Sequence, residues 1–190
     1  MFVVTDDDRI AEHVSRFGGR VVRPHGEFAT GTDRIAASLP LLEGRYDQIV
    51  NVQGDEPLID MQSVDEVIYI LQNDRIDMAT LACPIESADE HGRPDVVKVV
   101  CDLHDNALYF SRAPLAGAMR HIGVYGYQIA ALQRLASLPP SPLERAESLE
   151  QLRALQNGFK IRVLQTTKPH FGVDRPEDVL LVEQELARHG

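Results

Sequence analysis

The sequence predicts an α/β fold, a three-layer sandwich in which a mostly parallel central sheet lies between helices. Three observations lead to this prediction. Strand-like and helix-like segments alternate along the whole chain, which is the order typical of parallel sheets. The connections between these segments are short. Residues 48–52 show no polar/apolar alternation apart from Asn51, as expected for a strand that is covered on both faces.

Runs of aliphatic, β-branched and aromatic residues mark the strands. In chain order they are residues 2–5, 20–23, 48–52, 78–84, 96–102, 109–112, 121–129 and 160–165. Apolar residues three or four positions apart mark the helices; in the third, Val64, Val67, Ile68 and Leu71 form the inner face and Ser63 is the expected N-cap. In chain order the helices are residues 9–17, 32–42, 63–72, 130–136, 141–157 and 176–188.

Length and composition favour one domain spanning residues 1–190 and set limits on its partners. A formal net charge of −10 argues against a nucleic-acid partner, while leaving a small anionic ligand possible. No apolar run is long enough to cross a membrane and no secretory signal is present, so the cytoplasm is the expected location. Cys83 and Cys101 lack metal-binding spacing and are expected to be buried free thiols.

The strongest local motif is Asn51-Val52-Gln53-Gly54-Asp55-Glu56-Pro57, which follows a buried strand. Ligands of such sheets gather beyond the C-terminal ends of the strands. The amide of Gln53 suits a base edge, Gly54 permits close approach of a ligand, and the carboxylate of Asp55 suits Mg²⁺. The alternative interpretation is a plain surface turn, because Gly, Asp and Pro are turn residues.

Two further motifs stand before helices. In Gly172-Val173-Asp174-Arg175-Pro176, Asp174 is either an N-cap or, if it lies near Asp55, a metal ligand. In Thr30-Gly31-Thr32-Asp33-Arg34, the turn offers N–H groups and hydroxyls to an anion, or Thr30 or Thr32 simply caps the helix.

A scattered polar set completes the candidates. Arginine is the natural two-pronged partner of a sugar carboxylate, and His, Tyr, Glu and Gln can hydrogen-bond sugar hydroxyls. Each alone could instead face solvent or be satisfied in the core. The set is Arg112, His121, Tyr125, Glu150 and Gln151.

Together these motifs resemble the Kdo cytidylyltransferases (CMP-Kdo synthetases), where Kdo is 3-deoxy-manno-octulosonate. The Asn51-to-Pro57 motif is similar to that family's core signature. Other matching blocks follow in order, from about Val3 to the C-terminus: Met78-Ala79-Thr80-Leu81-Ala82, Val97-Lys98-Val99-Val100, Ala107-Leu108-Tyr109-Phe110-Ser111-Arg112, Arg120-His121-Ile122-Gly123-Val124-Tyr125-Gly126-Tyr127, Pro140-Ser141-Pro142-Leu143-Glu144, Leu149-Glu150-Gln151-Leu152-Arg153 and the Gly172-to-Asp178 segment.

The resemblance implies a nucleotide-diphospho-sugar transferase-like fold, a homodimer, and the reaction of CTP with Kdo to give CMP-Kdo and pyrophosphate for lipopolysaccharide biosynthesis. It implies that Asp55 and Asp174 hold Mg²⁺ at the catalytic centre. Residues implied to face CTP are Thr30, Gly31, Thr32, Arg34, Gln53 and Gly54. Residues implied to face Kdo are Arg112, His121, Tyr125, Glu150 and Gln151.

The sequence departs from the family pattern in three places. Family members open with a strand and a phosphate loop, whereas Met1 here corresponds to the start of the second strand. The segment between Arg112 and His121 is shorter than in other family members, and Phe28 stands at a position where family members often have a His. With the first strand missing, we expect marginal stability unless a partner or a neighbour fills the gap, because unpaired strand edges favour aggregation. Two alternatives follow: a catalytically impaired remnant that folds and binds the sugar, or a related cytidylyltransferase for another acidic sugar.

Overall fold

The computed structural model of the chain describes residues 1–28, 30–167, 172–173 and 175–189. The strands are β1 (Val3–Val4), β2 (Val21–Val22), β3 (Gln48–Val52), β4 (Met78–Cys83), β5 (Lys98–Cys101), β6 (Ala107–Ser111), β7 (Met119–Gln128) and β8 (Ile161–Gln165). The helices are α1 (Asp8–Arg16), α2 (Gly31–Ser38), α3 (Met61–Ile70), α4 (Ala88–Gly92), α5 (Ile129–Ala136), α6 (Pro142–Glu147), α7 (Gln151–Gln156) and α8 (Asp178–His189), and a short 3₁₀ helix (Leu39–Leu41) follows α2. This order confirms the predicted α/β class.

The long strand β7 organises the central sheet. Six strands take part, in the order β6–β5–β7–β4–β8, with β3 also paired to β7. β7 runs antiparallel to β3, β4 and β5, which therefore point in one direction, and β8 is parallel to β4. Four of the six strands thus share a direction, as predicted, whereas β7, and β6, which is antiparallel to β5, run the opposite way and make the sheet mixed. β1 and β2 form a separate parallel pair within the described part of the chain.

The two faces of the sheet carry separate hydrophobic clusters, which gives the predicted three layers. On one face, Met78 and Tyr127 pack with Leu132 of α5 and Leu152 of α7. Residues of the other face pack against α3. There the helix comes so close that a Cβ at Gly126 would lie 2.5 Å from side-chain atoms of Val67 and Leu71. A glycine near the C-terminal end of β7 therefore sets the distance between this helix and the sheet.

Several element boundaries differ from the prediction. The helix predicted over residues 141–157 is two helices, because Ser148 adopts the left-handed conformation with φ of 53°. The N-cap of α3 is Asp60, whose carboxylate accepts the N–H of Ser63, so the prediction of Ser63 as the cap was wrong. Ile68, predicted on the inner face, is 40% exposed, and α4 was not predicted.

The two cysteines are free, as predicted, but half-buried. Burial raises the pKa of the Cys83 thiol and raises that of the Cys101 thiol to about 11. Both therefore remain protonated and poorly nucleophilic near neutral pH.

Candidate functional site

A polar cleft of about 280 Å³ lies where the end of β3, the middle of β7 and the N-terminal ends of α2 and α7 meet. The residues that line it include most of the predicted site. Those predicted residues are Gly31, Thr32, Gln53, Asp55, Arg112, His121, Tyr125, Glu150 and Gln151. Residues that are distant in sequence are thus brought together by the sheet.

The loop after β3 is attached to β7 by Glu56. This residue is 9% exposed, and its Oε1 accepts the backbone N–H of Gly123 at 3.1 Å. A Cβ at Gly123 would lie 3.1 Å from Glu56 Oε1 and 3.3 Å from Gln53 Oε1. The loop that presents Gln53 and Asp55 to the cleft therefore rests directly on the β7 backbone.

The segment after β8 reaches the same edge of the sheet. The N–H of Val173 donates to the carbonyl oxygen of Asp55 at 2.8 Å, and Gly172 lines the cleft. Arg175 pairs with Asp95 at 3.1 Å on another wall of the cleft. Asp174, predicted as the second metal ligand, lies outside the described residues.

The ring of His121 is held in one orientation. The Thr80 hydroxyl lies 2.7 Å from the Val124 carbonyl oxygen and 2.9 Å from His121 Nε2. The Thr80 hydroxyl has a single hydrogen. When this hydrogen is donated to the Val124 carbonyl oxygen, Nε2 of His121 carries a hydrogen and donates it to the Thr80 oxygen. Phe110 and Tyr125 pack against the imidazole, each with ring centroids 5.2 Å away. Burial raises the pKa of the Tyr125 phenol, so this side chain stays neutral.

One wall of the cleft is cationic although the protein is acidic. The guanidinium of Arg112 donates to the carbonyl oxygens of Glu147 at 3.0 Å and Pro94 at 3.1 Å. Outside the lining, the fully buried Lys98 ammonium donates to the carbonyl oxygens of Arg93 and Arg112, and burial lowers the pKa of Lys98. Because the guanidinium bonds of Arg112 go to neutral carbonyl oxygens, its positive charge stays available to an anion in the cleft.

Asp95 interrupts this cationic wall and remains ionised. A hydrogen bond from the Arg93 guanidinium lowers the pKa of Asp95 to about 2. Arg120, also in the lining, pairs with Glu90 at 3.0 Å. The predictions from sequence gave no role to the lining residues Asn51, Glu56, Asp95, Arg120, Tyr127 and Ser148. The available signals were the motif after β3, which contains Asn51 and Glu56, and the family block that begins at Arg120 and ends at Tyr127.

Glu150 occupies the anion position predicted at the start of α2. Its two carboxylate oxygens accept the N–H groups of Gly31 at 3.2 Å and Thr32 at 3.3 Å. Thr30 is the N-cap, accepting the N–H of Asp33 at 3.1 Å, which agrees with the simple capping alternative. In this arrangement the helix terminus binds a carboxylate of the protein itself.

Three residues implied to face CTP are not part of the cleft lining. Thr30 caps α2, and Gly54 is exposed in the turn after β3. Arg34 approaches Asp6 at 3.6 Å. Their implied roles in CTP binding stay predictions.

The cleft offers oxygen donors to a hard cation. Within the described ranges, no group of three or more His, Cys, Asp or Glu residues is arranged to hold a metal ion. Mg²⁺ is commonly held by only one or two carboxylates, with phosphate oxygens and water as the remaining ligands. Asp55, exposed at the cleft edge, fits that description. Of the helices described, none is both long and apolar enough to cross a membrane.

Comparison with known proteins gives concordant matches. A family model described as cytidylyltransferase matches residues 1–161. The 3-deoxy-manno-octulosonate cytidylyltransferase of Syntrophotalea carbinolica is 46% identical, over 97% of this chain and 80% of its own length. That of Thermodesulfovibrio yellowstonii is 41% identical over the same shares.

Solved structures agree with this result. The structure of CMP:2-keto-3-deoxy-manno-octonic acid synthetase complexed with CTP matches with a TM-score of 0.90 and 35% identity, over 100% of this chain and 81% of that one. A putative glucose-1-phosphate thymidylyltransferase from Bacillus anthracis matches with a TM-score of 0.68 and 13% identity, over 97% of this chain and 74% of that one. At that identity the second match supports the fold alone.

Proposed function

The chain belongs to the cytidylyltransferase family, and we propose that it transfers CMP from CTP to Kdo, giving CMP-Kdo and pyrophosphate. The observation on which the proposal depends is that the loop of Gln53 and Asp55 opens into the same cleft as Arg112, His121 and Tyr125. One group of side chains suits a nucleotide and the other an acidic sugar. Relatives named for this reaction match nearly the whole chain.

In this reaction the anomeric hydroxyl of Kdo attacks the α-phosphorus of CTP, the bond to the β-phosphate breaks, and pyrophosphate leaves. Catalysis of such a step rests on positioning and charge neutralisation. The fixed fork of Arg112 suits the Kdo carboxylate, and the neutral phenol of Tyr125 suits a sugar hydroxyl. The amide of Gln53 can both donate to and accept from a cytosine edge.

Magnesium is part of the proposal, with Asp55 and Asp174 as the residues that would hold it. Support comes from the exposed position of Asp55 at the cleft and from the hydrogen bond between its carbonyl oxygen and Val173, the neighbour of Asp174. When bound, the ion would neutralise charge that develops on the phosphates.

The proposal extends to a homodimer that works in the cytoplasm and supplies activated Kdo for lipopolysaccharide biosynthesis. These points rest on the resemblance stated from the sequence. Analytical ultracentrifugation of the purified chain would test for the dimer. The expected result is a single species of twice the chain mass.

A pyrophosphate-release assay tests the reaction. We expect release that requires CTP, Kdo and Mg²⁺ together, with CMP-Kdo formed in equal amount. Omission of Kdo is the control for simple CTP hydrolysis. Absence of release, with Kdo binding still detectable by calorimetry, would favour the impaired remnant. Faster release with another acidic sugar would favour the related transferase.

Replacement of Gly123 by alanine is expected to impair use of CTP. The new Cβ would press on Glu56 and Gln53, so the loop after β3 must move by a few tenths of an ångström. Because small misplacements at a site are costly, we expect kcat/KM for CTP to fall about tenfold. Steady-state kinetics with varied CTP measures this.

Gly92→Ala is the matched control for this variant, because a Cβ at Gly92 would meet nothing within 4 Å. Equal kinetics for the two variants would contradict the proposed contact between the loop and β7.

A further inference from the structure

Glu147, the last residue of α6, lies behind the cleft and contacts the end of β6. Its carboxylate accepts the Ser111 hydroxyl at 2.9 Å through Oε1 and the backbone N–H of Arg112 at 2.9 Å through Oε2. The Tyr109 hydroxyl lies 3.3 Å from the same Oε1. One carboxylate thus accepts hydrogen bonds from two side chains of β6 and from the backbone of Arg112, the residue that follows this strand.

The main chain of Glu147 holds the other end of Arg112. The Glu147 carbonyl oxygen accepts the guanidinium Nε–H of Arg112 at 3.0 Å. Backbone and side chain of Arg112 are therefore both fixed by the same residue. Pro94 provides the remaining carbonyl contact, to Nη1.

Electrostatics favour the ionised form of Glu147. The hydrogen bond from the Arg112 backbone N–H, assisted by those of Ser111 and Tyr109, lowers the pKa of the Glu147 carboxyl although burial opposes this. A charged acceptor makes stronger hydrogen bonds than a neutral one. The residue after it, Ser148, has the left-handed conformation and turns the chain towards Glu150 and Gln151 in the cleft.

We propose that Glu147 is a positioning residue that holds the Arg112 guanidinium in place for the carboxylate of the acidic sugar. The inference rests on the proposed function for the identity of that ligand. Glu147 does not line the cleft among the described residues, so it acts through Arg112 and not by contact with the substrate.

The test is Glu147→Gln in the full chain, with Tyr109→Phe as control. Glutamine keeps the shape of the side chain but removes the negative charge that strengthens the bonds to Ser111 and to the Arg112 backbone, whereas the Tyr109 change removes only the longest of the contacts. For Glu147→Gln we expect KM for Kdo to rise about tenfold, while KM for CTP and kcat stay within about twofold of the wild-type values. In an Arg112→Ala background, Glu147→Gln should add less than about twofold.

A second readout does not require turnover. In ¹⁵N NMR spectra, hydrogen exchange of the Arg112 backbone N–H, which donates to the Glu147 carboxylate, should be slow in the wild type and at least about tenfold faster in Glu147→Gln. Unchanged exchange, or equal effects on the Kdo and CTP constants, would overturn the positioning role. Absence of pyrophosphate release from the wild type would instead count against the proposed function alone. If Glu147→Gln does not fold, Glu147→Asp serves for both measurements.

Discussion

Replacement of Asp55 by asparagine should lower kcat by about 10²- to 10³-fold. Asp55 is exposed at the cleft edge, immediately beyond β3. Asparagine has the same shape and leaves the backbone hydrogen bond from Val173 untouched. What it removes is the negative charge that the proposed Mg²⁺ requires as a ligand. The measurement is pyrophosphate release at saturating CTP and Kdo over a range of Mg²⁺ concentrations.

A partial recovery at high Mg²⁺ would identify the lost interaction as metal binding. Asp65→Asn is the matched control. Asp65 is exposed on α3 and lies outside the cleft lining, so this substitution makes the same change of charge away from the site. An Asp55→Asn enzyme with kcat within about threefold of wild type, at limiting Mg²⁺, would contradict the assignment of Asp55 as a metal ligand.

The sequence predicts individual elements well where local patterns decide them. β3 was predicted with its observed bounds, because a short run next to Gly and Pro is a clear local signal. The direction of β7 was not predictable in this way, since a strand has the same alternation in either orientation. Ser148 breaks a continuous helical pattern through its backbone conformation, which no spacing of apolar residues reveals.

The site was predictable to the extent that it lies after strands. Gln53 and Asp55 follow β3 and do line the cleft. Glu150 lines it as well, but its carboxylate is engaged with the start of α2, a contact across the fold that spacing cannot indicate. Glu56 and Glu147 were assigned no role from the sequence, because acidic residues are usually exposed to solvent. In the structure each of them accepts a backbone N–H from a neighbouring segment.

A buried charge network joins the helices behind the cleft and leads to the largest stability prediction. The side chain of Arg153 is 3% exposed, and it contacts Glu144 at 2.6 Å and Asp33 at 3.1 Å. Hydrogen bonds to Glu144 raise the pKa of Arg153, so the cation persists. Glu144 is also half of the capping box with Ser141 that begins α6. The network therefore fixes α2, α6 and α7 relative to one another.

Arg153→Met should destabilise the fold by about 3–5 kcal/mol, because it leaves the Glu144 carboxylate buried without its cation. The melting temperature should fall by roughly 10 °C or more. Urea unfolding followed by circular dichroism measures the loss directly. The double variant Arg153→Met with Glu144→Gln should be less destabilised than the sum of its single changes, since the buried Glu144 charge no longer stands without a cation.

Arg188→Met is the matched control, because the Arg188 side chain is 71% exposed and pairs with Glu185 at 2.9 Å on α8. Exposed pairs contribute little, since solvent screens them, so this control should unfold like the wild type. If Arg153→Met were as stable as the control, the ionic contacts among the three helices would not hold them together, and apolar packing around Leu152 and Leu132 would have to do so. The positions of Glu150 and Gln151 at the start of α7 would then depend on that packing and not on Arg153.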